Sequence, residues 1–187
     1  MNDATNATDT ALAEIQRTES RVQAWVHIDD GHALFQAADI DRRVDTGEAL
    51  PLAGLTVGIK DIIDVEEMPT RAGFAPFVGR IATRDSSVSA RLRAAGATIV
   101  GKTTTTQFAV ADPTVTRNPW NLDRTPAGSS SGSAAAVASS HVDLAIGSQT
   151  AGSTLRPAAF CGVVGFKPSF GWTSRAGMVP LADTLDT

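Results

Sequence analysis

Apolar positions along the chain alternate between helical and extended spacing. From Asp9 to Trp25 they recur at Leu12, Ile15, Val22 and Trp25, one face of a helix with a polar back. Residues 1–8 are polar and read as frayed. A second helix is predicted from about Gly31 to Val44, opening near Asp29 and Asp30 and closing before Thr46-Gly47. The run Leu55-Thr56-Val57-Gly58-Ile59-Lys60 alternates as a strand, with Leu55, Val57 and Ile59 on one face, Lys60 on the other, and Asp61 pointing away from Lys60. Residues 66–84, with Pro69, Gly73, Pro76 and Gly79, read as loop. Asp85 or Ser86 caps a helix over 87–95 that Gly96 stops, and 97–100 is a short strand. A Pro/Asn-rich loop over 112–124 leads to a helix at 131–140, a strand at 142–147 and a helix at 156–161. This alternation predicts an α/β fold in one domain spanning 1–187.

The chain has 187 residues, enough for one substantial core, and 42% are hydrophobic. A net charge of −4 gives no basic footprint for nucleic acid or an anionic membrane, and no apolar run is long enough to span a bilayer. The N-terminus lacks the basic start and apolar centre of a secretory signal. A lone cysteine, Cys161, excludes an internal disulfide and fits a reducing cytoplasm, and its apolar surroundings read as core rather than as a nucleophile's setting. His27, His32 and His141 form no spaced ligand set, so neither metal nor cofactor is expected. Gly101-Lys102-Thr103 ends like a phosphate-binding loop, but a strand fills the gap back to Gly96, so nucleotide binding is not expected.

Two loops of small residues stand out, Gly128-Ser129-Ser130-Ser131-Gly132-Ser133 and Gly147-Ser148-Gln149-Thr150-Ala151-Gly152-Ser153. Glycine and alanine permit close backbone approach and leave N–H groups free to face a ligand. The apolar stretches around them argue against a linker. Together they read as the floor of an active site. The Thr150-Ala151-Gly152-Ser153 backbone suits a nest of N–H groups that would serve as an oxyanion hole. Ser130, Ser131 and Ser133 have loop packing and helix capping as their plainer reading.

The chain resembles the amidase signature family. The resemblance is carried by Gly58-Ile59-Lys60-Asp61, by Asn118-Pro119-Trp120-Asn121, by PAGSSSGSAAAVA at 126–138, by Gln149-Thr150-Ala151-Gly152-Ser153 and by PAAFCGVVGFKP at 157–168, and it covers roughly residues 10–187. It implies a layered α/β/α fold with a mixed central sheet, and a serine–serine–lysine triad. Ser153 would be the nucleophile, Ser129 the bridging serine (held by a cis peptide in the family) and Lys60 the base. A serine nucleophile needs such a base, and neither loop holds a histidine. A lysine serves only where burial disfavours its charge. The implied reaction is hydrolysis of a small amide's C–N bond through an acyl-enzyme, releasing ammonia. A glutaminase-like component of a tRNA-dependent amidotransferase and an inactive truncated amidase are the alternatives.

Several positions depart from the family pattern. Ala127 and Ser131 stand where glycines are usual, and Ala127 is tolerable unless its φ must be positive. Gln149 replaces a common aspartate and Ala151 a common glycine, and Gln107 replaces a frequent glutamate. Arg156 lies three residues after Ser153 rather than two, as in the malonamidase-like branch, which acts on small amides bearing a carboxylate. Arg156 would either clamp that carboxylate or tie down a helix start. With Ser130 and Gln149 it completes the candidates for substrate contact. Family members are more than twice as long, so the chain is expected to be a fragment or a truncation, incomplete at its C-terminus. Such a chain exposes a sheet edge and an apolar face, which predicts self-association.

Overall fold

The computed structural model describes residues 3–77, 80–110 and 112–187. Its first helix, α1 (Ala4–Val22), starts earlier than the apolar spacing predicts. The Asp3 carboxylate accepts the Asn6 N–H, and Asp41 of the next helix accepts the N–H groups of Ala4 and Thr5 and the Thr5 hydroxyl. Residues 4–8 are therefore helical rather than frayed, fixed by a partner far along the chain, while residues 1–2 lie outside the described residues. The helix closes at Gln23 in the left-handed region. Trp25, expected at its end, instead opens a strand, β1 (Trp25–Ile28). Helix α2 (Asp30–Asp45), strand β2 (Thr56–Lys60) and helix α3 (Ser87–Ala94) follow near their predicted places, α2 capped by Asp29 and α3 by Ser86. Strand β3 (Thr98–Thr103) runs further than predicted and takes in Gly101-Lys102-Thr103. Helix α4 (Ser131–Ala138), strand β4 (Leu144–Ile146) and helix α5 (Leu155–Cys161) complete the order, and single 3-10 turns lie at Ala75–Phe77 and Gln107–Ala109.

The sheet is mixed, in the order β1-β3-β2-β4. β1 is antiparallel to β3, and β2 is parallel to both β3 and β4. Successive residues of β3 enter different apolar clusters. Ile99 packs with Val57, Ile59, Ile62, Ile63, Val65 and Met68, while Val100 packs with Ile15, Val22, Trp25, Ala135, Ala136 and Val142. The sheet is therefore covered on both faces, α1 and α4 contributing to the second cluster, as the α/β/α expectation requires. Gly132 lets α4 approach closely: a Cβ there would lie 2.2 Å from the Ala24 carbonyl oxygen and 2.3 Å from the Thr104 nitrogen. Beyond α5 the cover thins. Phe160, Val164, Phe166 and Trp172 are exposed, and so is Leu144 on the edge strand β4. Among the described residues no helix is long and apolar enough to cross a membrane.

His141 sits wholly buried behind α4, accepting from Trp25 Nε1 at 3.1 Å through Nδ1, with Nε2 2.6 Å from Thr18 Oγ1. Nδ1 accepts, so Nε2 carries the proton of a neutral ring. Burial pushes its pKa down to about 4, outweighing the attraction of Glu14. A histidine held neutral stabilises the fold fully above its unfolded value and loses that contribution as pH falls toward the folded one. Unfolding midpoints in urea are expected to drop between about pH 6.5 and pH 4 by the equivalent of up to about 3 kcal/mol, and His141→Gln should flatten that drop.

Candidate active site

Parallel strands end at the same edge of a sheet, and loops leaving them there meet. β2 ends at Lys60, and β4, paired beside it with Ile59 opposite Ile146, passes into Gly147-Ser148. Lys60 is buried to 0% exposure, and its Nζ donates to Ser129 Oγ at 2.7 Å and to Ser148 Oγ at 2.8 Å. Both partners are hydroxyls. Burial accordingly pulls the lysine pKa down to about 7, against the charge of Asp186, which raises it. Ser148 is a contact that sequence reasoning missed. The signal for it was positional, since it lies just beyond the strand paired with β2.

The first loop enters through Ala127 at φ 62°, so the condition that makes alanine costly is met there. The Gly128–Ser129 peptide is cis, as in the family resemblance. Several bonds tie the two loops together. Ser130 N–H donates to the Ser153 carbonyl at 3.1 Å, Ser130 Oγ donates to the Ser148 carbonyl, and Ser148 N–H donates back to Ser130 Oγ. Ser131 Oγ bonds the Ala127 carbonyl, and Ser133 Oγ meets Thr103 Oγ1 and the Ile146 carbonyl. These bonds give Ser130, Ser131 and Ser133 packing and tethering roles between the two loops.

Gln149 and Arg156 are also engaged within the two loops and α5. Gln149 is buried. Its Oε1 accepts the N–H groups of Thr154 and Leu155 at the start of α5, and its Nε2 donates to the Ala151 carbonyl. A side-chain oxygen suffices for that cap, which explains how glutamine replaces an aspartate. Arg156 Nε and Nη2 both donate to the Gly128 carbonyl, at 3.1 and 2.6 Å. It ties one loop to the other, the structural alternative to a carboxylate clamp. Cys161 is buried with its thiol pushed up to about 11 by desolvation, the state of a core residue.

Ser153 is half-buried, and among the described residues nothing holds its hydroxyl. The structure thus joins Lys60 to Ser129 but leaves Ser129 and Ser153 without a mutual hydrogen bond. Nor does any described residue accept the N–H groups of Thr150, Ala151, Gly152 or Ser153. Four adjacent free donors beside an unengaged serine hydroxyl can bind an oxyanion without first breaking internal bonds. On the neighbouring strand, Lys102 donates to Asp61 Oδ1 at 3.2 Å, to the Pro69 carbonyl at 2.8 Å and to Thr70 Oγ1, and both charges are fully buried. This ion pair accounts for Gly101-Lys102-Thr103 as sheet rather than phosphate loop.

The sequence profile of the family described as Amidase matches residues 6–187. The chain belongs to the amidase family. It is 44% identical, over 97% of its length, to the A subunit of the glutamyl-tRNA(Gln) amidotransferase of Mycobacterium bovis BCG, and it spans 38% of that protein. Among solved structures it superposes on the peptide amidase of Stenotrophomonas maltophilia with a TM-score of 0.93 at 38% identity, covering 99% of this chain and 41% of that one. It superposes on the A subunit of the Thermotoga maritima glutamyl-tRNA(Gln) amidotransferase with a TM-score of 0.84 at 32% identity, covering 98% of this chain and 39% of that one. The chain thus spans about two-fifths of the relatives it matches, and its mixed sheet is theirs.

Proposed function

We propose that this site cleaves the C–N bond of a small amide through an acyl-enzyme on Ser153. The observation that carries the reading is a wholly buried lysine whose Nζ has hydroxyl partners and a pKa near 7, so that the neutral amine is populated at neutral pH. Substrate binding brings Ser153 Oγ onto Ser129. Ser153 attacks the carbonyl carbon while its proton passes through Ser129 to Lys60. The oxyanion settles on the N–H groups of residues 150–153, each donor worth about 3 kcal/mol in such a hole. Ammonia leaves with the proton returned along the same path, and water repeats the attack on the acyl ester. The reaction asks for no cofactor, and a cytoplasmic setting belongs to the same reading.

The amidotransferase relatives, 44% identical, favour a second reading in which the amide is that of glutamine and the ammonia passes to a partner protein. Ammonia release from simple amides without any partner would count against it.

A fluorophosphonate tests the first reading. Ser153 Oγ should displace fluoride at phosphorus, and intact mass should show one adduct on the wild-type chain and none on Ser153→Ala. An adduct that persists on Ser153→Ala overturns Ser153 as nucleophile. No adduct on folded wild-type chain means that the triad does not assemble within these residues.

A further inference from the structure

The loop before Ser153 is held from outside the two serine loops. Asp186, 3% exposed, accepts the Thr150 hydroxyl at 2.5 Å through Oδ1 and the N–H groups of Leu181 and Ala182 at 2.8 and 2.9 Å through Oδ2. Next to it the backbone pairs in both directions, Gln149 N–H to the Thr187 carbonyl at 2.8 Å and Thr187 N–H to the Gln149 carbonyl at 2.9 Å. Thr187 Oγ1 adds a third bond to Gln149. The clasp grips residues 149–150, immediately before the free N–H groups and just after Ser148, the serine that bonds Lys60.

We propose that Asp186 is a positioning residue of the site: it fixes the backbone leading to Ser153 through Thr150 and sets a fixed negative charge against the loop that carries Ser148, the partner of Lys60. The first half rests on the acyl-enzyme reading, because it concerns the donors that would hold the oxyanion. The second half rests on a short run of contacts along one loop, Lys60 Nζ to Ser148 Oγ at 2.8 Å and, two residues on, Thr150 Oγ1 to Asp186 Oδ1 at 2.5 Å. Burial disfavours the Lys60 ammonium, and the Asp186 carboxylate favours it. The other charges around Lys60 are distributed differently. Asp61, the residue after Lys60, faces Lys102 on the neighbouring strand, Arg156 at α5 is spent on Gly128, and Arg175 acts on Asp186 itself.

The chain has three lysines, Lys60, Lys102 and Lys167, so [ε-13C]lysine labelling of the intact protein gives signals that Lys60→Met assigns. Asp186→Asn keeps the acceptor oxygen for Thr150 and removes the charge. Thr150→Val removes the side-chain tie to Asp186 and keeps the charge. The Lys60 midpoint, about 7 in the wild type, is expected to fall by roughly one unit in Asp186→Asn and to stay in place in Thr150→Val. In Thr150→Val the plateau rate of phosphonylation should fall roughly tenfold, as misplacement of a donor loop costs. An unmoved or raised midpoint in Asp186→Asn overturns the electrostatic half. A wild-type plateau in Thr150→Val overturns the positioning role of the Asp186–Thr150 tie. Where the wild type takes no phosphonate at all, the acyl-enzyme reading fails and the clasp with it, while the lysine titration still decides the role of the charge.

Discussion

Replacing Lys60 by methionine is expected to slow phosphonylation of Ser153 roughly a thousandfold, within the range that a general base supplies. Methionine matches the stem of lysine and leaves the packing of a wholly buried side chain in place, so the loss reports the amine. The pH dependence gives the sharper result. The wild-type rate should climb with pH through about 7, since the neutral amine is the active form and becomes populated there. In Lys60→Met that limb should vanish. The same substitution should raise the melting temperature near neutral pH. A lysine whose folded pKa lies below its unfolded one binds fewer protons folded than unfolded between the two values. Burying it therefore costs stability throughout that window, and the cost is relieved only as pH climbs toward the unfolded value. Methionine carries no charge to bury at any of these pH values. A variant that keeps the wild-type rate and pH limb would remove Lys60 from the chemistry.

Asp61→Ala is expected to cost about 3–5 kcal/mol in urea unfolding, the typical cost of leaving a buried charge without its partner. Lys102 would retain the Pro69 carbonyl and Thr70 hydroxyl but no counter-charge, with no solvent exposure to relieve it. The Arg71 N–H would also lose the carboxylate that it now bonds. Burial already presses each partner toward neutrality, raising Asp61 and lowering Lys102. Replacing both charges together, as Asp61→Leu with Lys102→Met, should recover most of the loss, because apolar pairs often substitute for buried ion pairs at little cost. A single variant that unfolds with the wild-type midpoint would show that the pair contributes nothing.

Local pattern was enough to read α2, β2 and α3, whose apolar spacing and caps are written in adjacent residues. Elements decided by distant partners were not legible. Trp25 fits a helical period as well as a strand, and only pairing with β3 settles it. The N-terminal turn of α1 depends on Asp41, and the polar half of β3 makes sense as buried sheet once Asp61 faces Lys102. At the site, the motif residues Lys60, Ser129 and Ser153 could be singled out, and the first two lie in contact. What Ser130, Gln149 and Arg156 touch could not be read, because their partners are backbone atoms of the opposite loop, of α5 or of Gly128. The alanine at position 127 is costly on one condition, a positive φ, and the chain adopts it at a cost of about 1 kcal/mol.

The burial of Lys60 and Lys102 has a practical side. Of the three side-chain amines, the folded chain closes these two and leaves Lys167 less deeply covered. Among the lysine side chains, acylating reagents therefore find one address on the native protein and three on an open one. Of these side chains an ester-activated dye would attach at Lys167 in the native state, and label mapped to Lys60 or Lys102 would report the fraction of molecules whose interior had opened.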